Sequence, residues 1–162
     1  TGETLEAGEK GELVVTPIVK EAMPLLRYRT GDITMLMEDD CECGRGQKLA
    51  RFFGRSDDML TIRGINVFPS QIEHVLKNIP DVGDQFMVYI DRINHLDEMT
   101  IEVEMSKSVF SGELQDLSRL QTKIMKALQE TLTIRARVEL KEPGSLPRFE
   151  GKAKRVIDRR TV

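Results

Sequence analysis

The chain has no tryptophan, and only 5% of its 162 residues are aromatic. It has two cysteines and two histidines. The cysteines stand as Cys41-Glu42-Cys43, too close for an ordinary disulfide, which excludes a stapled secreted scaffold. They supply two of the four ligands zinc takes, and His74 and His95 lack ligand spacing. A complete zinc site within the chain is therefore not expected, although sharing Cys41 and Cys43 with ligands outside it stays open. No run approaches the roughly 20 apolar residues that span a bilayer, so no membrane role is expected. Thr1-Gly2-Glu3-Thr4 shows no basic or apolar leader, so no signal peptide is expected and the default is a cytoplasmic protein. Basic excess is missing too: 24 Lys+Arg face 27 Asp+Glu, which argues against a dedicated nucleic-acid binder. What is present is a globular balance, 40% hydrophobic and 31% charged, in a length suited to one domain or two small units.

The pattern changes near Gly54. Before it, Leu13–Val19, Ile33–Met37 and Lys48–Phe53 read as short strands, so residues 1–54 make a small β unit. After it, Met59–Ile62 reads as a strand and Pro69–Ile79 as a helix with Pro69 in its first turn and Ile72, Val75, Leu76 and Ile79 on one face. Phe86–Ile90 and Thr100–Met105 read as strands joined by a hairpin connection holding Asn94 and Asp97. Thr100–Met105 alternates apolar and acidic residues, which predicts one wet face. Leu114–Leu132 is a long amphipathic helix with Leu117, Leu120, Ile124, Leu128 and Leu132 as its stripe. Ala136–Leu140 is a last strand. The β-α-β-β-α-β order from residue 59 predicts an α+β fold. The stretch 146–155 fits neither helix nor strand. From Leu146 to Val162 there are six basic and two acidic side chains, leaving the remainder net acidic by seven.

Four strings could carry chemistry. In Tyr28-Arg29-Thr30-Gly31-Asp32, a carboxylate after glycine can accept from a ribose diol, or simply close a turn. Gly54-Arg55-Ser56-Asp57-Asp58 marks a connection between the two units, with Arg55 a donor fork for phosphate or carboxylate or a plain surface residue. In Arg63-Gly64-Ile65-Asn66-Val67-Phe68-Pro69, Gly64 permits a tight loop, while Val67 and Phe68 either staple the next helix or line a groove. Arg148-Phe149-Glu150-Gly151-Lys152 places a lysine beside a glycine on a basic tail, suited to an anionic centre or merely solvated.

Taken in order, these strings resemble the adenylate-forming superfamily, which holds acyl-CoA synthetases, peptide-synthetase adenylation domains and luciferases. "RGINVFPSQIE" and "EPGSLPRFEGKAKRVIDRR" are most similar to its aryl-acetate CoA-ligase branch. The resemblance implies an AMP-binding acid–thiol ligase that joins a small aryl acid to coenzyme A at the expense of Mg-ATP, through an acyl-adenylate. It implies ribose binding by Asp32, nucleotide contact by Arg55 and a hinge at Asp57 within residues 55–58. It further implies a coenzyme A tunnel at Gly64, Ile65, Asn66, Val67 and Phe68, and a catalytic Lys152. Residues 1–54 then correspond to the last β subdomain of a large N-terminal domain, and residues 59–162 to a mobile lid. The superfamily's phosphate loop and acyl pocket are missing, so the chain reads as a C-terminal fragment expected to be inactive alone, with self-association as a homodimer through an uncovered face. Two alternatives stay open. One is a related enzyme for another aryl acid or a deazaflavin coenzyme. The other is a non-enzymatic α+β binding module, which the scarcity of aromatics and the acidic strand with Glu102 and Glu104 disfavour for RNA.

Overall fold

A computed structural model describes residues 2–38, 43–44, 46–107, 114–149 and 154–160. They divide into two compact units, Thr1–Met59 and Leu60–Val162.

In the first unit, strands β1 (Lys10–Val15), β2 (Tyr28–Met35) and β3 (Gly54–Arg55) form an antiparallel sheet in the order β1-β2-β3. β1 stops at Val15 because the Thr16 hydroxyl accepts the Arg27 N–H and Pro17 has none to give the ladder. β2 begins five residues earlier than expected, since Tyr28 and Arg29 pair with Val15 and Val14. The strand expected at Lys48–Phe53 does not form. Ala50 N–H bonds the Met35 carbonyl and Phe53 N–H bonds Ile33, so three residues advance against two and the ladder breaks. Only an isolated bridge, Leu36 to Leu49, remains. This unit leaves Ile18, Val19 and Leu26 largely exposed.

The second unit opens with a hairpin of β4 (Leu60–Ile62) and β5 (Ile65–Val67). Arg63 and Gly64 turn it with φ of 52° and 77°, the positive pair that a two-residue turn of this hand requires. Residues 65–67, expected as loop, are therefore strand, and alternation sends Val67 into the core. Helix α1 (Pro69–Lys77) follows, ending two residues short of expectation. Asn78 and Ile79 bond three residues back, so the last turn tightens while Ile79 stays buried. β6 (Val82–Ile93) and β7 (Leu96–Met105) run well beyond the predicted segments as one long hairpin. Asn94 and His95, both at positive φ, make its turn. α2 (Leu114–Leu132) and β8 (Arg137–Lys141) complete the expected series.

A strand in the basic tail was not expected either. β9 (Val156–Asp158), in the basic tail, pairs parallel to β6 and takes the edge of a four-stranded sheet ordered β8-β7-β6-β9. β4 stays with β5. The class is α+β, with α1 and α2 contributing to a core of Ile72, Val88, Ile90, Ile101, Ile124, Leu128 and Val138. Among the described residues, no helix is long and apolar enough to cross a membrane.

The predicted wet face of β7 is only half correct. Glu104 is 3% exposed, because the segment after β8 folds over it. Its two oxygens accept from the Leu146 N–H and from Arg148 Nη2, each at 2.8 Å. A carboxylate without such donors would not tolerate that burial.

Candidate functional site

The ladder between β2 and β3 sets Asp32 directly opposite Arg55. Arg55 Nη1 donates to Asp32 Oδ1 at 3.1 Å and to the Thr30 carbonyl at 3.2 Å. Its other edge makes a two-pronged contact with Asp57, Nε to Oδ1 and Nη2 to Oδ2, both 2.9 Å. The guanidinium lies over Gly31, where a Cβ would come within 2.7 Å of Nη2. Gly31 also has φ 78°, so both backbone and space call for glycine at this position. Asp57 first, then Asp32, strengthen the hold of Arg55 on its proton. From the neighbouring strand β1, Glu12 accepts the Gly31 N–H at 3.0 Å and pairs with Arg29, whose hydrogen bond holds the Glu12 carboxyl below the usual carboxylate range. The sequence shows Asp32 in one string and Arg55 with Asp57 in another; the sheet register joins the two strings. Glu12 was missed, and no local pattern marks it. Among the described residues Asp32 Oδ2 accepts no hydrogen bond, so this corner offers one open acceptor beside a cation.

In the second unit the predicted Gly64–Phe68 stretch separates into two kinds of residue. Gly64 and Asn66 are exposed on the hairpin, while Val67 is fully buried and Phe68 is half-buried at the start of α1. Phe68 N–H donates to Gln71 Oε1 at 3.0 Å, a side chain reaching back to the N-cap backbone as in a capping box. Close by, Asp97 collects three arginines. Its Oδ1 accepts from Arg92 Nε at 3.0 Å, its Oδ2 from Arg160 Nη1 at 3.0 Å, and its carbonyl from Arg63 Nε at 2.6 Å. Arg92 first, then Arg160, hold the Asp97 carboxyl below its ordinary value, against the opposing effect of burial. Arg160 also grips Asp158, and that carboxyl is lowered in the same way. Neither Asp97 in its hairpin connection nor Arg160 in the basic tail carries a local pattern that marks this pairing.

Lys152, Gly151 and Cys41 lie outside the described residues. Lys152 is bracketed in sequence by two described anchors. Arg148 bonds Glu104, as above, and Arg155 Nη1 meets Glu73 at 3.2 Å while its guanidinium stacks 4.5 Å from the Phe86 ring centre. Lys77 first and then Arg155 lower the Glu73 carboxyl. Cys43 is exposed. Among the described residues no group of three His, Cys, Asp or Glu is arranged to hold a metal ion.

One unit pairs an aspartate with an arginine across a small sheet, and the other weaves a basic C-terminal strand into an α+β domain. Residues 64–160 match the family described as "AMP-binding enzyme C-terminal domain", and the chain belongs to that family. It is 41% identical to the phenylacetate-coenzyme A ligase of Thermus thermophilus, over 99% of this chain and 39% of that protein. It is 37% identical to the Escherichia coli phenylacetate-coenzyme A ligase, over 99% of this chain and 36% of that protein. The chain thus spans well under half the length of these curated relatives. Among solved structures, a 2-hydroxyisobutyryl-CoA ligase in the postadenylation state superposes with a TM-score of 0.82 at 36% identity, covering 95% of this chain and 33% of that one. A domain of phenylacetate-coenzyme A ligase from Bacteroides vulgatus gives 0.60 at 34% identity, covering 65% of this chain and 95% of that one.

Proposed function

We propose that this chain is the C-terminal part of an ATP-dependent acid–coenzyme A ligase, with phenylacetate as the acid. The observation that carries the reading is identity of 37–41% to four phenylacetate-coenzyme A ligases over 99% of the chain. Exposed Ile18, Val19 and Leu26 in the first unit support it, since they would suit packing against a larger N-terminal domain.

In this reading the acid's carboxylate oxygen attacks the α-phosphorus of ATP, forming an acyl-adenylate and releasing pyrophosphate. The coenzyme A thiolate then attacks the acyl carbonyl and AMP leaves. Magnesium arrives with the triphosphate of the substrate, as that ion usually does. Asp32 takes the ribose hydroxyls, which its Oδ2 suits. Arg55 contacts the nucleotide at the cost of sharing donors now given to Asp57, and Asp57 lies in the 55–58 hinge between residues 1–54 and 59–162. Lys152 lies between the two anions of the first step, where a positive charge opposes their repulsion most effectively once water is excluded. That charge would obstruct the thiol in the second step. Exchanging Lys152 for the Gly64–Phe68 hairpin at one centre removes the conflict. The exposure of Gly64 and Asn66 and the partial exposure of Ile65 and Phe68 suit a tunnel-facing role, with buried Val67 supporting the stretch from the core.

The test is a chimaera in which this chain replaces the matching part of the Thermus thermophilus ligase. Lys152→Ala should lower pyrophosphate release with phenylacetate by about 10²–10³, the loss seen when one transition-state donor is removed. Thioester formation from preformed acyl-adenylate should change little. Equal loss in both half-reactions would refute the assignment. The 2-hydroxyisobutyryl-CoA ligase likeness favours one second reading, a branched hydroxy acid; pyrophosphate release with both acids separates them when measured in the full-length protein rather than in the chimaera, whose acyl pocket comes from the Thermus enzyme.

A further inference from the structure

The β4–β5 hairpin has three residues in each strand and forms a sheet of its own. Such a two-stranded element is marginal in water unless something else holds it. Val67 fastens its base in the core and Ile62 the strand end beside its turn, but the turn itself, Arg63-Gly64, is exposed. What holds the turn is a set of contacts contributed by residues far away in sequence. Arg160 Nη1 donates both to the Thr61 carbonyl at 2.8 Å and to Asp97 Oδ2 at 3.0 Å. Arg63 Nε donates to the Asp97 carbonyl at 2.6 Å. Arg92 fixes Asp97 Oδ1, and Asp158 fixes the other edge of Arg160. The Asp97 and Arg160 side chains are only 11% and 19% exposed, so water competes poorly for these contacts. The cross-link therefore ties the tip of one hairpin to the tip of another.

We infer that Asp97 and Arg160 are positioning residues that hold the Arg63–Gly64 turn in the shape that meets the thiol arm of coenzyme A. The inference rests on the proposed role of residues 64–68 in the second half-reaction. A turn that must arrive at the reaction centre after adenylation works best if it arrives already ordered. An unheld turn would have to be ordered by the thiol substrate on each encounter, weakening its binding. Arg160 suits the task because a planar fork can reach two acceptors at fixed angles, and lysine cannot.

The test uses two variants. Asp97→Asn keeps size but loses the charge that binds Arg92 and Arg160. Arg160→Lys keeps charge but loses the fork, and it serves as the second variant should Asp97→Asn fail to fold. In the 162-residue chain, amide hydrogen exchange in β4 and β5 should rise about tenfold, the effect of losing one charge-assisted bond, while α2 exchange stays the same. In the chimaera, the KM for coenzyme A should rise about tenfold, with pyrophosphate release in the first half-reaction retained. Unchanged exchange in the hairpin overturns the clamp. Faster exchange with both half-reactions slowed alike reduces it to general stability and overturns the positioning role. Faster exchange with an unaltered coenzyme A step also overturns that role, while leaving the ligase reading intact if Lys152→Ala behaves as proposed. If Lys152→Ala leaves adenylation unchanged, the ligase reading falls, and the exchange data still judge the clamp by themselves.

Discussion

Gly31→Ala probes the Asp32–Arg55–Asp57 corner through its least replaceable residue. Two separate costs follow from the structure. The first is backbone: at φ 78° an alanine enters the left-handed region, at about 1–2 kcal/mol. The unfolded chain loses freedom on gaining a Cβ, which offsets about 0.4–1 kcal/mol. A net cost near 1 kcal/mol, about fivefold in an opening equilibrium, remains. The second is steric: the new Cβ would lie 2.7 Å from Arg55 Nη2 and 3.3 Å from Cζ. The guanidinium must swing aside, loosening its bonds to Asp32 and the Thr30 carbonyl. Hydrogen exchange reads both, because β1 and β2 amides report on the first unit and β6 and β7 amides serve as an internal control. The expected result is at least about fivefold faster exchange in β1 and β2, with β6 and β7 unchanged. Repeating the substitution in an Arg55→Ala background isolates the steric part, since only the backbone cost should persist there. Unchanged exchange in β2, or the same acceleration with and without Arg55, would refute the reasoning.

Two further expectations concern the second unit. Asp97 has its carboxyl held below the ordinary aspartate value by Arg92 and Arg160, with Arg63 on its carbonyl. Its stabilising effect is therefore present above about pH 4 and lost as pH falls through the lower folded value. Urea midpoints followed by circular dichroism between about pH 5 and 3 should fall more steeply for the native chain than for Asp97→Asn; equal slopes would count against the network. Arg148→Ala should destabilise the unit by about 1–3 kcal/mol in the same measurement, because it leaves the Glu104 charge with one donor fewer. The cost stays below that of a fully enclosed pair because Arg148 is 56% exposed and water can enter. No change in midpoint would mean that Glu104 is adequately satisfied by the Leu146 N–H alone.

Elements with strong periodicity were readable from the residues. α2 spans the Leu114–Leu132 range expected and ends on the last residue of its stripe, and Leu120, Ile124, Leu128 and Leu132 are buried as the stripe requires. Short strands were less readable, because three residues carry too little alternation to mark an edge. β5 and β9 were missed for that reason, and β9 depends on a strand 68 residues earlier, since Val156 pairs with Val88. The candidate site divided along the same line. Residue types at Asp32, Arg55 and Asp57 suggested nucleotide chemistry, but each alone was equally a surface turn. The contact of Asp32 with Arg55 is a consequence of strand register, which no local string records, whereas Arg55 and Asp57 meet within one string.

By itself, the order of residues determined the α+β class, the two helices and their buried faces, and the motif series shared with AMP-binding enzymes. These follow from short-range periodicity and from glycine and proline placement, which act within a few residues. Tertiary structure alone decided that Glu104 is enclosed rather than wet, that Val67 belongs to the core, and that Arg160 reaches back across nearly one hundred positions to Thr61. Such long-range pairing is set by which surfaces can be buried together while every enclosed charge still finds a partner.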